Sequence, residues 1–195
     1  MIELNVKGDI RQVTRYLNKV QKRQVPFAIA LALTRTVQDA QKSIQSAIPH
    51  IFKTTKKWWA KSQPTGIKIR PATKANLTAS VYTNAPFAEL QEEGGTKRPR
   101  KRFLAVPTKA TPKSRRKAGG ASITMKQKKT FTTEAGIFRR KGGKRSQTIE
   151  KLFTFTKQAR IKPRFGFKGI ARKVARRRFK KNFEMALAKA LRTAR

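Results

Sequence analysis

The 195-residue chain has no cysteine and one histidine, His50. Without thiols there is no disulfide, no thiolate metal site and no sulfur nucleophile. His50 follows Pro49 with no acid or nucleophile near it in sequence, so it reads as a surface or helix-end residue. No group of His, Cys, Asp or Glu has metal-ligand spacing. Acidic residues are scarce: nine Asp and Glu stand against forty-nine Lys and Arg. Apolar residues make up only 37% of the chain. The longest apolar run, residues 25–33, is too short to span a bilayer, and Met1-Ile2-Glu3-Leu4 lacks the charged-then-apolar pattern of a secretory signal. These absences predict a protein made in a cytoplasm, with no enzymatic activity, no cofactor, no metal and no membrane partner.

What is present is positive charge, a formal net +40. That much like charge destabilises a compact state by self-repulsion, so the chain is expected to work beside a polyanion or within an anionic assembly. The modest apolar content predicts one small core with long basic excursions, in a single domain over residues 1–195.

Asp9 is placed to cap a first helix, with Ile10, Val13, Leu17 and Val20 on one face and Gln12 reaching back. A second helix is predicted to open at Pro26, carry Ile29, Leu33, Val37, Ala40, Ile44 and Ile48 as its apolar stripe, and stop at Pro49. Residues 54–61, with Trp58 and Trp59, suit a short helix. The period then changes to two: Ile67 and Ile69, then Leu77, Ala79 and Val81, alternate with polar residues as half-buried strands do. Residues 103–107 read as another strand. Residues 109–133 are rich in Lys, Arg, Ser, Thr and Gly and are expected to form a basic loop or arm. Residues 136–140 and 152–156 are predicted to pair as a hairpin across 141–148. After a break at 163–169, a closing helix over 170–195 places Ala171, Ala175, Phe179, Phe183, Leu187 and Ala190 in one stripe. The expected architecture is α+β: two N-terminal helices and a C-terminal helix packed on a small antiparallel sheet.

Gly94-Gly95-Thr96-Lys97 lacks the upstream glycine of a phosphate loop, since position 90 is Leu. Glu89, Glu92 and Glu93 share one side of a helical turn and form an acidic patch, which in so basic a chain is expected to meet cations of a neighbouring subunit. Four basic clusters are the strong chemical signal: Lys97, Arg98, Arg100, Lys101 and Arg102; Lys113, Arg115, Arg116 and Lys117; Arg139, Arg140 and Lys141; and Arg172, Lys173, Arg176, Arg177, Lys180 and Lys181. Each offers several contacts to a phosphate backbone or an acidic partner. No Asn or Gln is arranged among the arginines to read base edges, so contact with nucleic acid is expected to be sequence-independent. Phe103, Phe131, Phe138, Phe153, Phe155, Phe165 and Phe167 interleave with these clusters; base stacking is conceivable, and core packing is the preferred reading.

Two segments carry a resemblance. Val25-Pro26-Phe27-Ala28-Ile29-Ala30-Leu31-Ala32-Leu33-Thr34 resembles the opening of the minor tail protein Z family of tailed bacteriophages. Ala85-Pro86-Phe87-Ala88-Glu89-Leu90-Gln91-Glu92-Glu93-Gly94-Gly95-Thr96 is similar to the aromatic-Ala, Glu, Gly-Thr signature of phage tail-completion proteins. There it precedes a strand, and a basic amphipathic helix closes the chain. The resemblance implies a non-enzymatic virion component, assembled in the host cytoplasm at the head-proximal end of the tail. It further implies a homo-oligomeric ring around the DNA channel that joins tail to head. Its partners would be tail-tube, terminator, tape-measure or connector proteins, with non-specific contact to packaged DNA. On composition alone, a sequence-independent RNA-binding protein of a ribosome-like particle is the alternative, and a free nucleoid-type DNA-binding protein a third.

Overall fold

The computed structural model of the chain describes residues 1–7, 19–52, 57–99, 102–116, 120–127, 129–142 and 148–193. The long apolar spacing of the first third produces helix α1, Lys19–Phe52, in which Ile29, Leu33, Val37, Ala40, Ile44 and Ile48 are all buried. Both of its ends differ from expectation. Pro26 and Pro49 lie inside the helix rather than at its limits. An interior proline removes one N–H and crowds the carbonyl four residues back, at a cost of about 3 kcal/mol. Burying a large apolar side chain is worth about 1.5–3 kcal/mol, and the turns beyond the prolines bring in Val25, which is buried, and Phe52, which packs on the core. The helix expected from Asp9 falls on residues 8–18, outside the described residues, while Lys19 and Val20 already belong to α1.

Two units divide the described chain where the sequence reading expected one domain: Met1–Gly94 with Lys162–Arg195, and Gly95–Ile161 inserted between them. In the first, β1 (Ile2–Lys7), β2 (Ile67–Arg70) and β3 (Thr78–Thr83) form an antiparallel sheet in the order β1-β3-β2. Val81 sits opposite Leu4 on one side and Ile69 on the other. The central position of β3 explains why Ala79, Val81 and Thr83 are buried. Ile44 and Ile48 of α1 pack with Ile2, Ile67 and Val81, and Leu33 and Val37 pack with Ala79. Residues 53–56 lie outside the described residues, and 57–66 form successive turns, not a helix. Ala60, Gln63 and Gly66 donate their N–H groups to the carbonyls of Lys57, Ala60 and Gln63.

Helix α2 is Ala88–Glu93, and the closing helix α4 is Phe167–Arg192, which starts three residues earlier than expected. Ala28 and Ala32 of α1 meet Ala186 and Ala190 of α4, so alanines form the seam between the two long helices. Within that seam Asn182 is buried. Its Nδ2 donates to Thr36 Oγ1 and to Asp39 Oδ2, both at 3.1 Å.

In the inserted unit the outgoing strand β4 (Gly95–Lys97) pairs with the returning strand β9 (Ala159–Ile161). Strands β5 (Leu104–Pro107), β6 (Thr130–Thr133), β7 (Gly136–Arg140) and β8 (Ile149–Thr156) form a sheet in the order β5-β8-β7-β6. The β7–β8 pair is the expected hairpin; residues 143–147 of its turn lie outside the described residues. Gly136 is required here. Its φ is +151°, and a Cβ would stand 1.9 Å from the Phe153 carbonyl oxygen. Residues 109–133 were expected as an arm. They carry a 3-10 turn at Lys113–Arg115, helix α3 at Gly120–Met125 and β6. Thr111 and Thr124 are buried, and Ala110 and Ala121 pack on the Ile137, Leu152 and Phe153 core. Small alanines and threonines among the lysines let this stretch cover one face of the sheet.

Candidate nucleic-acid interface

The cationic helix α4 is fixed at its start by α2. Gly166, in the left-handed region at φ +66°, occupies the N-cap position and supplies no side-chain cap. Glu92 takes that role from a distance in sequence: its Oε2 accepts from the Phe167 N–H at 2.7 Å and its Oε1 from the Lys168 N–H at 2.9 Å. A carboxylate at this end also matches the positive pole of the helix. Beside it, Lys168 Nζ donates to Glu93 Oε1 at 2.8 Å. That hydrogen bond, reinforced by the charge attraction, lowers the Glu93 pKa and raises that of Lys168. The Gln91 carbonyl accepts from the N–H groups of Arg164 and Phe165 at 2.8 and 2.9 Å, and its Oε1 accepts from Arg164 Nε at 2.6 Å.

Beyond this clamp, α4 divides by face. Ala171, Asn182, Ala186 and Ala190 are buried, and Ala175, Phe179, Phe183 and Leu187 half-buried. Arg172, Lys173, Arg176, Arg177, Lys180 and Lys181 are all exposed, as is Arg178. Like charges four residues apart each cost a few tenths of a kcal/mol, so packing against α1 rather than local pairing keeps this helix formed. Gly169, Arg172, Lys173, Arg176 and Arg177 line an open depression of about 280 Å³. The lone carboxylate of the helix, Glu184, is exposed and does not line it. Four cations around an open depression can hold phosphate oxygens without reading base identity.

The other three basic clusters belong to the inserted unit. Lys97, Arg98, Arg102, Lys113, Arg140 and Lys141 are exposed. Two expected contact residues also bond within their own unit. Arg116 donates to the carbonyls of Thr111 and Lys109 at 2.7 and 2.6 Å, and half-buried Arg139 pairs with Glu150 at 2.6 Å. Arg100, Lys101 and Lys117 lie outside the described residues, as does the side chain of Arg115. Of the acidic patch, Glu92 holds α4 and Glu93 holds Lys168. Glu89 is exposed, 3.9 Å from the Met1 amino group.

Sequence reasoning missed Gln91, Arg164 and Asn182. Only Asn182 leaves a local signal, a neutral amide inside the apolar stripe of a helix whose other polar positions are almost all cationic. Among the described residues, the open depression beside Pro86, Glu89, Leu90, Glu93 and Gly94, about 370 Å³, is lined by no histidine or hydroxyl nucleophile. Among the described residues no group of three or more His, Cys, Asp or Glu could hold a metal, and no helix is long and apolar enough to cross a membrane. Comparison of the chain with protein-family models, curated proteins and solved structures returns no match.

Proposed function

We propose that this chain is a structural component of a tailed-phage virion, a minor tail or tail-completion protein at the head-proximal end of the tail. In this reading it assembles as a ring around the DNA channel and helps to join tail to head. One observation carries the reading: the outward face of α4 is a continuous row of exposed cations, Arg172 to Lys181, on a helix otherwise fixed by packing. A channel through which DNA passes needs positive charge without sequence preference, and this face supplies it. The order of elements supports the same reading. The segment that resembles the tail-completion signature forms the short acidic helix α2, a strand follows at Leu104–Pro107, and a basic amphipathic helix closes the chain. Glu89, the least engaged acid of the patch, is the candidate contact for a cation of the next subunit in the ring.

The test is mass spectrometry of particles purified from a lysate of the host that carries this gene. Peptides of the chain at a few copies per DNA-filled particle support the reading. Their absence from intact tails refutes it, and co-sedimentation with ribosomal RNA instead favours the RNA-binding alternative.

A further inference from the structure

The inserted unit has a second cationic surface of different character. Its four-stranded sheet buries one face: Ile137, Leu152 and Phe153 are buried beneath Ala110 and Ala121. On the opposite face, which register defines, Arg140, Ile149 and Lys151 are exposed and Phe131 and Phe138 half-buried. Phe131 pairs with Phe138, Phe138 with Lys151, and Arg140 with Ile149, so these five side chains share one side of β6, β7 and β8. Phe131 and Phe138 are stacked, with centroids 5.6 Å apart and planes 17° from parallel. The Arg140 guanidinium lies 5.4 Å from the Phe131 centroid, and the Lys151 ammonium 5.2 Å from that of Phe138. Ile149 is 52% exposed beside them.

Carboxylates are missing from this face. The unit holds twenty-one Lys and Arg against two Glu, Glu134 and Glu150. Glu150 is opposite Arg139 on the covered side and bonded to it, and Glu134 is paired with Arg102. An aromatic pair carrying two cations with no counter-ion matches a ligand that presents π faces and anions in alternation. We infer that this sheet face is a stacking platform for single-stranded nucleic acid, independent of the virion reading and argued without the α4 cations. An unpaired base takes the place of a cation on Phe131 or Phe138, and Arg140 and Lys151 turn to the flanking phosphates. A base-paired duplex keeps its base faces inside the stack, and an acidic peptide has phosphate-like charge but no ring to stack.

The probe is a single strand of about 12 nucleotides with 2-aminopurine at its centre, added to the full chain. A duplex of the same length and a poly-glutamate peptide are run beside it. Wild type is expected to quench the 2-aminopurine. The double variant Phe131→Leu/Phe138→Leu should lose the quenching and bind the single strand about 5- to 150-fold more weakly, with unchanged salt slope and unchanged duplex binding. Arg140→Gln and Lys151→Gln, both at exposed positions, test the surface without disturbing the aromatic pair. Each should lower the single-strand salt slope by about 0.7. Wild-type affinity and quenching in the double variant would overturn the inference, as would salt slopes unmoved by the two cation variants. Poly-glutamate binding that falls equally with the phenylalanines would assign the face to an acidic protein instead.

Discussion

Glu92→Ala removes the carboxylate that fixes the start of α4, and its effect follows from the two bonds at that residue. Both oxygens accept backbone N–H groups, from Phe167 and Lys168, and no other side chain caps the helix. Loss of a side-chain cap costs about 0.5–2 kcal/mol. Hydrogen bonds to a charged group contribute about 1.5–3 kcal/mol when well shielded, and Glu92 is half-buried, so the lower part of that range applies. A destabilisation of about 2 kcal/mol is the expected result. For a chain of this size it lowers the melting midpoint by about 4–8 °C in a circular-dichroism melt at constant pH and salt. Glu92→Gln should recover part of the loss, because its amide oxygen accepts one N–H while its NH₂ opposes the other. Glu89→Ala, which removes only a loose pair at 3.9 Å from the Met1 amino group, is the control and should melt like wild type. A Glu92→Ala protein that melts like Glu89→Ala would refute the assignment of Glu92 as the cap.

Other substitutions report on separate parts of the fold. Gly136→Ala forces a side chain into a φ of +151° with its Cβ 1.9 Å from a carbonyl oxygen, so about 1–3 kcal/mol of strain is expected even before the overlap, read by urea denaturation. Asn182→Ala leaves Thr36 and Asp39 without their amide donor in the α1–α4 seam and should cost about 1–3 kcal/mol; a cycle with Thr36→Ala should show non-additivity of at least ~0.5 kcal/mol. The Glu93–Lys168 pair sets a pH window. Glu93 has a pKa below its ordinary 4.5, so its contribution is present above that value and lost as pH falls through the lowered one. Lys168 has a pKa above its ordinary 10.5, so its contribution is present below that value and lost as pH rises through the raised one. A carbon-detected NMR titration of the Glu93 carboxyl should give a lowered pKa that returns upward in Lys168→Met.

Periodicity made the α1 stripe, strands β2 and β3, the β7–β8 hairpin and the α4 stripe legible, because each is written in apolar spacing within one segment. The helix limits were less legible. Pro26 is a local start signal and Pro49 a local stop signal, yet the helix runs past both, to buried Val25 on one side and to Phe52, packed on the core, on the other. β1 was not legible either. Its partner β3 lies some seventy residues away, and only the pairing of Leu4 with Val81 gives the short N-terminal run a reason to extend. The covering role of residues 109–133 hides for a related reason: Ala110, Thr111 and Thr124 are too small to register as apolar signal, yet they fit closely against the sheet. The cation clusters were visible from composition, but composition could not separate Arg140, which faces outward over Phe131, from Arg139, its neighbour, which bonds Glu150. A strand alternates faces at every residue, and register alone decides between them.

The placement of the acids gives the cation surplus its meaning. Seven of the nine carboxylates have partners inside their own unit: Glu3 with Arg70, Asp39 with Asn182, Glu89 with the Met1 amino group, Glu92 with the start of α4, Glu93 with Lys168, Glu134 with Arg102 and Glu150 with Arg139. Asp9 lies outside the described residues, and Glu184 is exposed on α4. Those partners are mostly backbone groups, a terminus or single cations, so few of the forty-nine Lys and Arg are neutralised from within. Exposed pairs are in any case worth under ~1 kcal/mol each and weaken further in salt. The cations on α4, and separately those on the inserted sheet, therefore repel their own neighbours within a unit whose acids cannot balance them, and counter-charge from outside relieves that repulsion. This predicts that inorganic polyphosphate raises the melting midpoint of the whole chain. It also predicts that Arg172→Gln/Arg176→Gln/Arg177→Gln raises the midpoint in low salt without polyphosphate and shrinks the polyphosphate-induced shift. A triple variant no more stable than wild type in low salt, with an undiminished polyphosphate shift, would show that the α4 face is not where the chain meets its counter-charge.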